Sequence, residues 1–256
     1  LLEVVKESEK ESFIDLIPTF LGAHTFPPEF KENRKGYIEL ITNKMISEIS
    51  EKGLAVFCDA FCETTAFHPD EVRIIFKAAE SAGLKLKLHS EQFNNIGGLD
   101  LGLEMDVKSI DHLEVIKDDD IIKLANSNAV GVLLPGVSFF LNYGFAPARK
   151  LIDNNGAIAI STDFNPGSSH ISNLHLVMSF AAIKMKMSVE EVISSVTINA
   201  AKALDLNDDR GSIEIGKIAD FAVFNTKDYS DIIYHVGENL NCMTIKKGKI
   251  VYSKME

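Results

Sequence analysis

In residues 55–63, AVFCDAFCE, a short apolar run over residues 55–61 is followed closely by the charged side chain of Glu63. The run is long enough for one buried strand. The stretch that follows, PDEVRIIFKAAESA at residues 69–82, has apolar residues at the three-and-four spacing of a helix. A short apolar strand followed by an amphipathic helix is the repeating unit of a parallel α/β sheet, so this part of the chain predicts a βα unit.

The same unit recurs along the chain. The other five apolar runs lie at residues 15–21, 84–88, 108–110, 129–134 and 157–161. A histidine or an acidic residue, which could bind a metal or transfer a proton, follows each of five different runs within about three residues of its carboxyl end. In a (β/α)8 barrel the active site is built at these ends. These residues are His24, Glu63, His89, His112 and Asp163. A doubly wound sheet would gather such groups at one switch point, so we predict a TIM-like (β/α)8 barrel with six visible strands.

The pattern changes after residue 204. Residues 205–256 contain short strands with glycines between them, RGSIEIGKIADFAVF and NCMTIKKGKIVYS, which are typical of an antiparallel appendage. We therefore expect residues 1–204 to form the barrel portion and residues 205–256 to contribute C-terminal strands to a small β-sandwich domain.

Composition excludes several classes of protein. The 256 residues are 46% hydrophobic and 25% charged, as in soluble globular proteins. The net charge of −11 argues against a nucleic-acid partner. The longest apolar run, at residues 129–141, is shorter than the roughly 20 residues that span a membrane. An odd number of cysteines, 3, favours reduced thiols and a cytoplasmic location.

Two residues carry donor atoms that metal ions use. His89, in KLHSEQ, and Asp163, in TDFNPGSS, could bind Zn²⁺ or Fe²⁺ and leave a position open for water. Each also has a plainer interpretation, as a hydrogen-bonded strand end and as an Asx-turn respectively. His112 could act as a general base or electrophile, or could be a core histidine paired with Asp111.

The sequence allows two interpretations for each of two further residues at strand ends. His24 could donate to a substrate carboxylate or to a developing oxyanion, or could be a loop histidine without a role. Glu63 either is solvated or orients a neighbour. P-loop, dinucleotide-binding, nucleophile-elbow and C-x-x-C motifs do not occur in the sequence.

Eight motifs follow one another along essentially the whole chain. They are PTFLGAHTFPPEF, VFCDAFCE, KLHSEQFNNIGG, SIDHLE, VLLPGVSFFL, TDFNPGSS, TINAAKAL and GSIEIGKIADFAVF. In this order they resemble the imidazolonepropionase family of the amidohydrolase superfamily. The resemblance implies metal-dependent hydrolysis of the cyclic amide of 4-imidazolone-5-propanoate to N-formimidoyl-L-glutamate, a step of histidine degradation. It implies a small-molecule substrate and one divalent metal ion, Zn²⁺ or iron (Fe²⁺/Fe³⁺).

The resemblance also implies a role for individual positions. His89 and Asp163 match the metal ligands, and His112 matches the catalytic histidine, with which Asp163 would share proton transfer. The positions that match substrate contacts are His24, Gln92, Asn165, Gly167 and Ser168. Ser168 stands where relatives usually have threonine, and this exchange keeps the hydroxyl group.

The chain departs from the family pattern because it has no H-x-H metal pair and lacks the family's substrate-binding Arg and Tyr. Counting back from Asp163 as strand eight makes the first run strand three. We therefore expect an N-terminally truncated chain without the first two βα units, inactive and self-associating in isolation. Another amidohydrolase, of the dihydroorotase or guanine deaminase type, and a noncatalytic fragment are the alternatives. A homodimer is suggested by the resemblance alone.

Overall fold

The structure is a computed structural model that describes residues 1–254. The chain divides into two compact units, of which the first is Leu1–Ala129 and the second begins at Val130. The first unit contains four parallel strands, each paired with the next in chain order. They are β1 (Thr19–Ala23), β2 (Phe57–Cys62), β3 (Lys85–Ser90) and β4 (Ser109–His112).

Helices of the same unit precede, connect or follow these strands. They are α1 (Leu2–Ser8), α2 (Arg34–Leu40), α3 (Ile46–Glu51), α4 (Pro69–Ser81), α5 (Gly98–Glu104) and α6 (Asp118–Ala125), with a 3₁₀ turn at Pro28–Phe30 and a π-helical turn at Ile41–Met45. Helix α4 begins at Pro69, and the backbone N–H of His68 donates to the Glu71 carboxylate at its first turn. The helix buries a stripe that includes Phe76, as the amphipathic spacing predicts.

The strands of the first unit have two chemically different faces. In β2, Cys58 and Cys62 lie on the face opposite Asp59, because successive side chains of a strand point to opposite sides. The β2–β3 register pairs Asp59 with Lys87, and the β3–β4 register pairs His89 with Asp111. Charged side chains from three strands therefore share one face of the sheet.

The second unit contains a parallel pair of strands, β5 (Val130–Leu133) and β6 (Ile158–Ile160), and a separate antiparallel sheet. That sheet is formed by β7 (Phe221–Phe224), β8 (Asn241–Lys246) and β9 (Lys249–Ser253). The helices are α7 (Pro135–Leu141), α8 (Ala148–Asp153), α9 (Leu174–Met185), α10 (Val189–Ser195), α11 (Ile198–Ala203) and α12 (Asp231–Tyr234). Val130, Val132 and Ala159 belong to a buried apolar cluster that joins the parallel pair to its helices.

All six expected strands are present, and their ends differ from the apolar runs by a few residues. The first strand begins at Thr19 and not at residue 15, since Pro18 has no N–H to give to a ladder. The strand expected at residues 108–110 extends to His112. The antiparallel sheet lies after residue 204, as expected, while the domain boundary at 204 stays a prediction. Within residues 1–254, every helix is too short or too polar to cross a membrane.

Candidate active site

His89 lies near the carboxyl end of β3 and contacts a buried carboxylate of β2. Its Nδ1 atom is 3.0 Å from Oδ1 of Asp59, which is a hydrogen-bonding distance. Burial alone would raise the pKa of Asp59, but the attraction and hydrogen bond of His89, together with the nearby Lys87 ammonium, lower it overall. Asp59 therefore stays a carboxylate that accepts from the imidazole.

Asp111 of β4 lies on the other side of His89. Its Oδ1 atom accepts from the Ser109 hydroxyl at 2.9 Å, and its Oδ2 atom is 4.0 Å from both Nε2 of His89 and Nζ of Lys87. Asp111 raises the pKa of Lys87, burial opposes this, and Asp59 adds to the rise. The lysine is thus a partly buried cation near two carboxylates.

Asp59, His89 and Asp111 together could hold a divalent metal ion. One potential ligand atom from each lies within 4.8 Å of the others. Imidazole nitrogen and carboxylate oxygen suit Zn²⁺ or iron. Neither Asp59 nor Asp111 was predicted as a ligand from the sequence. The available signal was an acidic residue inside one apolar run (Asp59) and directly after another (Asp111).

His112 ends β4 next to His89. The two ring centroids are 5.4 Å apart, and His112 is buried. His112 and the following Leu113 have φ values of +86° and +70°, a left-handed conformation that costs free energy in residues with a Cβ and is frequent at functional sites. Glu114, and not Asp111, is the carboxylate that faces His112: its Oε2 atom lies 3.5 Å from Nδ1.

His24 follows β1 and is exposed. Its ring stacks on Phe61 at a centroid distance of 5.5 Å, and Phe61 in turn lies 6.4 Å from the ring of His112. The three predicted histidines of this unit therefore form one row of ring contacts along the carboxyl ends of the strands. In this row His24 contacts Phe61, Phe61 lies near His112, and His112 lies near His89.

Glu63 orients the loop that carries Gln92. It is fully buried, and its carboxylate accepts from the backbone N–H groups of Thr64, Phe93 and Asn94 at 2.7, 3.1 and 3.0 Å. Burial by itself would raise the pKa of Glu63, but these donors lower it overall. Of the two interpretations left open for Glu63, the structure supports orientation of a neighbour, and Gln92 is itself 7% exposed.

Four predicted residues come together in the loop after β6 of the second unit. Oδ1 of Asn165 accepts from the backbone N–H groups of Gly167 and Ser168 at 2.9 and 2.8 Å. Its Nδ2 atom donates to the carbonyl oxygen of Asp163 at 2.8 Å, and Asp163 has a φ of +46°. The Asx-turn is thus built by Asn165, and it fixes the backbone from Asp163 to Ser168.

Comparison with known proteins defines the class. The amidohydrolase family profile matches residues 18–251. The chain therefore belongs to the amidohydrolase family.

Comparison with curated relatives shows which members of the amidohydrolase family the chain is similar to. The chain is 44% identical over 249 residues to the imidazolonepropionase of Thermoanaerobacter pseudethanolicus, covering 97% of this chain and 60% of that protein. It is 46% identical over 253 residues to the imidazolonepropionase of Geobacillus thermodenitrificans, covering 99% of this chain and 60% of that protein. The chain thus spans about 60% of the length of these relatives.

Solved structures confirm the α/β barrel class. A zinc-bound adenosine deaminase from Xanthomonas campestris superposes with a TM-score of 0.78 at 18% identity, over 100% of this chain and 65% of that chain. E. coli guanine deaminase gives 0.76 at 15% identity, over 99% of this chain and 67% of that chain. At these identities the likeness concerns the fold alone.

Proposed function

We propose that the protein containing this chain hydrolyses 4-imidazolone-5-propanoate to N-formimidoyl-L-glutamate. The observation that carries the proposal is the identity of 41–46% to eight relatives, each named imidazolonepropionase, over 97–99% of the chain. The guanine deaminase alternative has only fold similarity behind it, which does not select a substrate.

We propose His89 and Asp163 as ligands of one Zn²⁺ or iron ion. The donor chemistry fits, because imidazole and carboxylate are ligands of both metals and His89 is held by a hydrogen bond on its Nδ1 atom. When bound, the ion would polarise the ring carbonyl and activate the attacking water.

The chain's own residues would position the substrate and move the proton. We propose that His112, with Asp163, transfers the proton from the attacking water to the ring nitrogen that leaves, while His24 meets the propionate. Gln92 would hold the ring in register, and Asn165 would present the backbone of its turn. The residues Gly167 and Ser168 would complete the substrate contacts.

The test is turnover of imidazolone propionate by the product of the complete reading frame that contains this sequence. We expect His112→Ala to abolish most turnover with metal content near wild type, and Asp163→Ala to remove the metal, as measured by elemental analysis. His24→Ala should raise KM more than it lowers kcat. Turnover of a purine or of dihydroorotate instead would overturn the proposal, and loss of metal in His112→Ala would make His112 a ligand.

Finer features rest on the sequence and stay proposals. These are the choice between zinc and iron, a role in histidine degradation, a cytoplasmic location, a homodimer and the lack of a nucleic-acid partner. The three cysteines are free thiols, which is consistent with a reducing compartment.

A further inference from the structure

We propose that Asp59 is a positioning residue that keeps the proton of neutral His89 on Nδ1 and thereby presents Nε2 as the metal-binding atom. The role refines the metal site of the proposed function. Asp59 itself would not be a ligand.

Strand register creates the contact. β2 and β3 pair Phe61 with His89 and Asp59 with Lys87, so Asp59 lies one same-face position before the histidine on the neighbouring strand. From there Oδ1 reaches Nδ1 at 3.0 Å. The side chains of Asp59 and His89 are 3% and 15% exposed, so water competes little for this hydrogen bond.

The chemistry of the pair selects the tautomer. A neutral imidazole has one N–H donor and one acceptor nitrogen, and an ionised carboxylate can only accept. The proton of His89 therefore belongs on Nδ1, which leaves the lone pair on Nε2. A metal-binding histidine whose other ring nitrogen is held in this way has a fixed ring orientation and a more basic ligand atom.

The competing interpretation is a cation held jointly by Asp59, His89 and Asp111. Two ligands of a tetrahedral zinc, each about 2.0–2.2 Å from the ion, lie roughly 3.3–3.6 Å apart. The 3.0 Å between Asp59 and Nδ1 of His89 is instead the length of a direct hydrogen bond. Lys87 also already places a positive charge 4.0 Å from Asp111. Both observations favour a proton between Asp59 and His89.

The first experiment measures the tautomer without metal. The chain is prepared with ¹⁵N-labelled histidine and studied by long-range ¹H–¹⁵N NMR, in solution or, for an oligomer, in the solid state; His89→Gln identifies the signal. At a pH where His89 is neutral, we expect the proton on Nδ1. A wild-type His89 with its proton on Nε2 would overturn the proposal, whatever the variants do.

The second experiment adds Zn²⁺ alone and compares Asp59→Ala with the matched variant Asp111→Ala. We expect Zn²⁺ to move the Nε2 resonance while Nδ1 keeps its proton. Asp59→Ala should lose the tautomer preference and weaken Zn²⁺ affinity about 10- to 100-fold, whereas Asp111→Ala keeps the tautomer. Release of the Nδ1 proton on Zn²⁺ addition would make Asp59 a co-ligand and contradict the proposal.

The outcomes separate this role from the proposed function. A full-length protein that keeps the Nδ1 proton on His89 but does not hydrolyse imidazolone propionate contradicts the function and leaves the role of Asp59 intact. An active enzyme whose His89 carries its proton on Nε2 contradicts the role of Asp59 alone.

Discussion

Replacing Glu63 by Gln tests whether one buried carboxylate holds the loop of Gln92. Oε1 of Glu63 accepts from the backbone N–H and hydroxyl of Thr64 and from Nδ2 of Asn94, while Oε2 accepts from the N–H groups of Phe93 and Asn94. Glutamine has the same shape but only one acceptor oxygen. The amide orientation that keeps the three hydrogen bonds to Oε1 turns the new NH₂ group toward the backbone N–H groups of Phe93 and Asn94, which donated to Oε2.

The expected loss follows from those two N–H groups. A buried donor left without its partner costs about 1–3 kcal/mol, so the free energy of unfolding should fall by about 2–6 kcal/mol. We expect the lower half of this range, because the loop can partly open and turn the amides of Phe93 and Asn94 to water. The same opening should displace Gln92.

Two measurements check the prediction. Denaturant unfolding gives the loss of stability, with Glu80→Gln, an exposed position on α4, as the control that should change by no more than about 0.5 kcal/mol. Amide hydrogen exchange should accelerate at Phe93 and Asn94. If Glu63→Gln behaves like the control in both assays, the anchoring role of Glu63 is wrong.

The pKa shift of Glu63 also predicts how its contribution to the free energy of unfolding changes with pH. Because the pKa of Glu63 is lowered in the folded state, its carboxylate stabilises the fold fully above the unfolded value of about 4.3 and less as the pH falls through the folded value. The stability gap between wild type and Glu63→Gln should therefore be constant from about pH 6 to 8 and shrink below about pH 4. A gap that widens in acid would contradict the assignment.

Other predictions concern packing and thiol chemistry. A Cβ at Gly98 would lie 1.9 Å from Oγ of Ser90, so Gly98→Ala should destabilise by about 1–3 kcal/mol in chemical denaturation, while Gly144→Ala, with open space around it, should not. Burial, and to a smaller extent the nearby glutamates, raise the pKa of the Cys62 thiol to about 12. At pH 8, mass spectrometry should therefore find Cys62 unalkylated by iodoacetamide until the chain unfolds. Alkylation of the folded chain at the rate of the unfolded chain would refute this prediction. Phe76→Ala should cost about 3–5 kcal/mol in the same denaturation assay, since the ring is fully buried, and a loss below about 1 kcal/mol would contradict its place in the core.

The sequence by itself determined the features that depend on local periodicity and local turn chemistry. Alternating apolar runs and amphipathic stretches indicated six βα-type strands, and the apolar spacing of residues 69–82 predicted helix α4, which begins at Pro69. The NPGS turn placed Asn165 beside Asp163 within a few residues of chain, so its hydrogen bonds were accessible to local reasoning. Strand ends were less accurate, because Pro18 and the left-handed His112 change the backbone without changing the apolar pattern.

Only the tertiary structure decided which charges meet. In the sequence, Asp59 is a single charged residue inside an apolar strand, and Asp111 is the neighbour with which His112 could pair. The register between strands 30 residues apart in sequence puts Asp59 on Nδ1 of His89, while Asp111 joins Ser109 and Lys87. Register depends on the packing of whole strands and helices, and a shift of one residue would move every one of these side chains to the opposite face. No local pattern contains that information.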